Sequence, residues 1–241
     1  MAEGAVSDAE ALAGFIDKWR ERWPEWRIAE VFVRQDQRQV CVAWFALQQE
    51  LAEAAWGGRD PLPGEAKLGW WAEELQGWSQ GRRRHPLGLV LQRVPAPWLN
   101  LAASVPALIA SRDAGARREQ SFELVAPIAE AISAIDAAVF GVASATCDSS
   151  EVLLATQLLL LGDAAAPLQV RARIGDGAEA AARAWAGDLL QAWPATTGPR
   201  PLRLRGALLR ERLRRFAVGG PRLQAVPALA TLRIAWRAAR G

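Results

Sequence analysis

Apolar residues return at spacings of three and four along most of the chain, with polar residues between them. That is the period of an α-helix rather than of a strand. Ser7-Asp8-Ala9-Glu10 has the form of a capping box, in which the serine side chain accepts from an early helical N–H and the glutamate reaches back to the serine N–H. A short amphipathic helix carrying Leu12, Phe15, Ile16 and Trp19 is predicted to follow. Pro24 opens the next helix, since proline in a first turn forfeits no helical hydrogen bond. From Glu25 to Trp56 the spacing of Ile28, Val31, Phe32, Val42 and Phe45 predicts one uninterrupted helix of about 30 residues, well beyond an average length. Gly57-Gly58 and Pro61-Leu62-Pro63-Gly64 end it.

Glu65 to Gln80 reads as another helix, with Leu68, Trp71, Leu75 and Trp78 on one stripe. Gly81 stops it, Arg82-Arg83-Arg84 crosses a loop, and His85-Pro86 starts a short helix through Arg93. Pro95 and Pro97 introduce a helix in which Pro106 is a candidate kink. Further helices are predicted over 119–145, 149–163, 177–193, 200–217 and 222–239. No alternating β-branched run is bracketed by turns, and no repeat is found. Pro194 to Pro201 is the best candidate hinge, but the prediction is one all-α domain spanning 1–241.

Composition adds three constraints. Hydrophobic residues make up 51% of the chain, which excludes a disordered class. The longest apolar stretch, Val152 to Leu161, falls short of the roughly 20 residues of a membrane span. The acidic start, Met1 to Glu10, has no basic n-region or apolar run, and Cys41 and Cys147 stand alone. The expected location is the cytoplasm, with peripheral contact to the inner membrane left open. Of the 12 Trp, nine precede residue 100, so the bulky interior is expected in that half. Lysine occurs only at Lys18 and Lys67. Residues 171–241 hold 14 Arg against four acids, while the remainder is net acidic. Arginines on solvated faces, some turned toward the acidic amino-terminal part, are the favoured reading. No recognition-helix or RNA-binding motif accompanies them, and no nucleic-acid partner is expected.

Candidate chemistry is sparse. His85 is the only histidine and sits in a loop, where a structural role is expected. Ser149-Ser150 read as helix N-cap residues, and Gly162-Asp163 and Gly175-Asp176-Gly177 as turns. Glu50 and Glu53, at i and i+3, are expected to face the same way as an exposed like-charge pair worth only tenths of a kcal/mol. Glu73 and Glu74 lie on the next helix, and facing carboxylates of this kind can hold Mg²⁺ and, through it, a diphosphate.

Val42-Ala-Trp-Phe-Ala-Leu-Gln-Gln-Glu-Leu-Ala-Glu53 resembles the segment of the squalene/phytoene synthase family that reads Tyr-Ala-Phe-x-Arg followed by Asp-Asp-x-x-Asp. Leu68-Gly-Trp-Trp-Ala-Glu-Glu-Leu75 and Gly81-Arg-Arg-Arg-His-Pro-Leu87 resemble its Trp-x-x-Glu-Leu and Gly-x-x-x-His-Pro elements. Residues 25–92 carry most of the likeness. It implies an isoprenoid-synthase-like helical bundle around a central apolar cavity, where two acidic motifs hold the Mg²⁺ ions that ionise a prenyl diphosphate.

The chain departs from that pattern at the chemistry. Val42 and Ala46 stand where the family has its tyrosine and arginine, and Gln49, Glu50 and Glu53 where it has three aspartates. Aligning Gln157 with the second motif puts Leu160 and Ala164 at the metal positions, and a one-residue slip recovers only Asp163. The resemblance therefore implies a relative that has lost prenyl transfer and binds an isoprenoid, another apolar ligand or a protein partner. Val42, Trp44, Ala46, Gln49, Gln157 and Leu160 would line the cavity, and Leu158 to Leu161 would bury their helix all round. No cofactor is expected. The alternative is an active transferase with a reduced Mg²⁺ site at Glu50, Glu53, Glu73 and Glu74. An arginine-mediated nucleic-acid or membrane binder ranks third.

Overall fold

The three- and four-residue spacing is realised as helix, and no strand occurs among the described residues. The computed structural model describes residues 2–142, 149–175, 177, 179–194 and 198–241, with side chains from residue 8 onward. In chain order the helices are α1 (Ala2–Arg22), α2 (Trp26–Ala29), α3 (Gln35–Trp56), α4 (Leu62–Ser79), α5 (Gly88–Leu91) and α6 (Trp98–Ala110). They continue as α7 (Arg118–Phe140), α8 (Ser149–Leu161), α9 (Leu168–Ile174), α10 (Ala180–Gln191), α11 (Arg200–Ala217) and α12 (Ala228–Arg240). Single 3₁₀ turns occupy Glu30–Phe32 and Gly162–Ala165. None of the described helices is by itself long and apolar enough to cross a membrane.

The long helix predicted over 25–56 is broken. α2 tightens into the 3₁₀ turn, and Val33 then leaves in an extended conformation (φ −85°, ψ 137°) before α3 begins. The Arg38 guanidinium donates to the carbonyls of Val33 (3.0 Å) and Val31 (3.3 Å), which the break deprives of helical partners. α1 is continuous through Ser7, so the capping box does not start it. α7 stops at Gly141, whose φ of 66° makes a left-handed cap, rather than running to 145. α12 begins at Ala228, later than predicted, and α9 was not predicted at all. Cys147, Asp176 and the middle of the Pro194–Pro201 stretch lie outside the described residues.

Buried apolar side chains from Leu12 to Ala238 form one cluster. Its centre is α3, where Cys41 to Leu47 are all buried, with α4 and α8 packed against it. Tryptophan fills the amino-terminal half as expected: Trp70 alone of the first nine is not buried. Edge-to-face contacts run from Trp44 to Trp98 (6.0 Å), Trp98 to Trp78 (5.2 Å) and Trp78 to Trp71 (6.4 Å), tying α3, α4 and α6 together. α8 is not buried all round. Leu158 and Leu159 are buried, but Val152, Thr156 and Leu160, spaced by four, form a half-buried stripe. Ser149 and Ser150 lie inside its first turn, and the Ser149 hydroxyl meets that of Ser133 at 3.0 Å.

Candidate functional site: a cleft between α3 and α8

Thr156 and Leu160 of the half-buried stripe face the carboxyl-terminal half of α3 across a cleft of about 220 Å³. Gln49 and Glu53 project from α3, and Thr156, Leu159 and Leu160 from α8. Glu21 to Pro24 at the end of α1, Leu209 and Arg212 of α11, and Leu223 and Ala225 before α12 complete the wall. A hydrogen-bonded relay fixes the polar side: Trp23 Nε1 donates to Gln49 Oε1 (3.2 Å), Gln49 Nε2 donates to Glu53 Oε1 (2.9 Å), and the Arg22 guanidinium pairs with the same carboxylate. The Arg212 guanidinium lies 4.0 Å from the centre of the Trp23 ring. Two of the sequence-predicted lining residues, Gln49 and Leu160, are thus brought together.

The others go elsewhere. Trp44 is fully buried, and its Nε1 donates to Asp136 Oδ1 (2.6 Å). Ala46 sits in the core, Val42 borders a groove under α1, and Gln157 donates to the Ser111 carbonyl. Trp44, Asp136, Gln48 and Arg205 make a polar centre that sequence reasoning missed: Arg205 donates to Gln48 Oε1 and lies over the Phe45 ring at 4.7 Å. Burial pushes the Asp136 carboxyl up to about 7, against the pull of Trp44 and Arg205. Burial likewise brings Arg205 down to about 10, with Asp136 opposing. The Cys41 thiol is driven up by burial, so this cysteine is an inert packing residue.

The four candidate acids do not converge as one site. Glu50 is buried rather than exposed, and its oxygens take the chain's two lysines, Lys67 at 2.5 Å and Lys18 at 3.7 Å. Glu53 points into the cleft, neutralised by Arg22. Glu73 is exposed and pairs with Arg84 at 3.4 Å. Glu74 is buried and accepts from Trp78 Nε1 (2.8 Å) and from the backbone N–H groups of Arg84 (2.7 Å) and His85 (2.8 Å). The Trp–Glu–Leu and His–Pro elements therefore form an architectural clasp in which α4 holds the loop before α5. His85 completes it: its Nδ1 accepts from Leu87 N–H (3.1 Å), its ring packs on Phe15 and Trp71, and burial lowers it to about 4. Asp163 is also committed, accepting from the N–H groups of Glu179 (2.9 Å) and Ala182 (2.8 Å) at the start of α10.

These donors do not fit a Mg²⁺ cluster. Such a site needs several carboxylate oxygens turned to one point. Here Glu50 and Glu53 are held by cations and Glu74 by backbone N–H groups, and the facing residue of α8 is Leu160. Among the described residues, no three His, Cys, Asp or Glu side chains are grouped to hold a metal. Introducing one acid tests the wall. Because Leu160 is half-buried, Leu160→Asp is expected to cost about 1–2 kcal/mol rather than the larger penalty of a fully enclosed carboxylate, as read by urea unfolding.

Glu50 supplies a pH-dependent prediction. Burial raises its carboxyl, but Lys67 and Lys18 outweigh that, so it titrates below the ordinary 4.5. Its contribution is present above that value and lost as pH falls through the folded one. Glu50→Gln is expected to cost about 1 kcal/mol at neutral pH, because both lysines are partly exposed, and nothing once the wild-type group is protonated. Urea titrations at the two pH values check this.

No protein-family model, curated protein or solved structure matches the chain.

Proposed function

We propose that the protein is a catalytically degenerate relative of the squalene/phytoene synthases, acting by holding an apolar chain in the cleft between α3 and α8. The observation that carries this reading is the cleft's lining. Gln49 and Glu53 occupy the stretch of α3 that resembles the first metal-binding motif, and Leu160 stands across from them at a position of the second. A leucine wall in place of a ligand, with Glu53 neutralised by Arg22, favours apolar contact over cation capture.

The volume limits the ligand. About 220 Å³ lies below the roughly 300–1,000 Å³ of pockets that enclose a drug-sized molecule, so the cleft takes the end of a prenyl or acyl chain and leaves the rest outside. The Gln49–Glu53–Arg22 relay at its edge offers hydrogen bonds to a polar head such as a hydroxyl.

Offering farnesyl or geranylgeranyl diphosphate with Mg²⁺ tests the loss of transfer chemistry. Release of diphosphate is expected to stay at background. Turnover that Glu50→Ala and Glu53→Ala each abolish would overturn the reading in favour of a working enzyme.

A further inference from the structure

We infer that α12 docks the protein on an anionic lipid surface. Thr231, Ala235 and Ala238 turn one face of this helix into the fold, where it packs against α2 and α11. The opposite face carries Leu229, Leu232 and Trp236 together with Arg233, Arg237 and Arg240, all exposed. At about 100° per residue these six fall within one arc of roughly 140°, so they form a continuous surface. Leu229 is 85% and Trp236 52% exposed, high values for side chains that could have packed inward. No acidic residue occurs in the helix.

The partner's chemistry follows from that mixture. Arg240 lies over the Trp236 ring at 4.8 Å, and the indole meets the Phe32 ring edge to face (6.3 Å), which holds it at the surface. Leucine and tryptophan flanked by arginine suit the boundary between acyl chains and phosphates, where apolar side chains sink in and guanidinium groups meet headgroups. Beside this face a groove of about 610 Å³ runs between α11 and α12, with Arg210, Arg214 and Arg237 over a floor that includes Ile234. Glu211 also borders it, but this carboxylate is already paired with Arg214 and Arg215. Arg237 belongs to both surfaces, so headgroup contacts extend from the helix into the groove. Two other occupants fit less well. A nucleic-acid backbone gives the protruding leucines nothing to bury against, and a second copy would set arginine against arginine.

This inference is independent of the cleft. Its test is flotation of the full chain with vesicles of phosphatidylcholine alone or mixed equally with phosphatidylglycerol. Binding is expected to the mixed vesicles only and to weaken with salt. Arg233→Glu with Arg237→Glu and Arg240→Glu should reduce it at least about tenfold, and Leu229→Ser with Trp236→Ser about as much. Leu229→Ser alone, on the most exposed side chain, should weaken binding several-fold with the thermal midpoint unchanged. The inference is overturned by absence of binding, by equal binding to neutral vesicles, or by binding that these variants leave intact. Retention of duplex nucleic acid, or a dimer that Leu229→Ser dissolves, would also overturn it if vesicles are ignored.

Discussion

Glu25→Ala is expected to lower the unfolding free energy by about 3–5 kcal/mol, the cost of leaving a buried cation without its partner. Glu25 and Arg212 are both almost wholly enclosed. They meet through two hydrogen bonds, Arg212 Nε to Oε1 at 2.7 Å and the terminal nitrogen to Oε2 at 2.6 Å. Glu25 Oε1 also accepts from the Val226 N–H (2.7 Å), so one carboxylate pins α11 and the segment before α12 to the turn between α1 and α2. Removing it leaves the guanidinium without a counter-charge, the Arg22 carbonyl (2.8 Å) being its remaining acceptor, and orphans a buried backbone donor as well. Urea unfolding of Glu25→Ala, Arg212→Met and the double variant checks this. The double variant should cost less than the sum, because no unpaired charge remains.

Asp136→Asn is expected to change the pH dependence of stability more than stability itself. Burial raises the folded Asp136 carboxyl to about 7 from an ordinary 3.8. The native state therefore binds the extra proton between those values, and the stabilisation this gives is present below 3.8 and lost as pH rises through about 7. Asparagine keeps an acceptor for Trp44 Nε1 without the charge. Its stability relative to wild type should therefore rise from pH 4 to pH 8 by roughly 4 kcal/mol, the free-energy equivalent of that shift. Thermal unfolding across the range checks it, and a parallel pair of curves would refute it.

The helical class was legible because the apolar period is strong, and boundaries set by proline were found closely, as at α6 and α11. The break at Val33 was not legible, since Val31, Phe32 and Val33 continue the apolar spacing and the freed carbonyls are satisfied from Arg38, inside the next helix. Leu158 to Leu161 misled in another way. Four successive leucines cover every side of a turn, yet Leu160 stays half-buried on the cleft wall and Leu161 is half-buried at the end of the helix.

At the site, the resemblance named Gln49 and Leu160 and the spacing named Glu53, all of which border the cleft, but the expectation of an exposed acidic pair mistook the state of the acids. Which carboxylate receives a cation depends on contacts made across the fold. Arg22 reaches Glu53 over 31 positions, and Arg212 reaches Glu25 over 187. A chain with only two lysines brings both to Glu50, and so unusual a choice over arginine marks a specific partner. Arg205 and Asp136 gave no signal, since each lies in an ordinary amphipathic stretch and they come within electrostatic reach of one another only when α7 and α11 close on α3.

Calorimetric titration of farnesol into the wild type and Thr156→Phe, with and without Mg²⁺, tests the central claim most directly. Thr156 is half-buried on the cleft wall, so the larger ring fills the space without opening the core. Wild-type binding should be unaffected by Mg²⁺, and Thr156→Phe should weaken it at least about tenfold, the loss expected when an apolar chain is shut out of a pocket of this size. Equal affinity in the two proteins, or binding that requires Mg²⁺ and disappears in Glu53→Ala, would contradict an apolar, metal-free site.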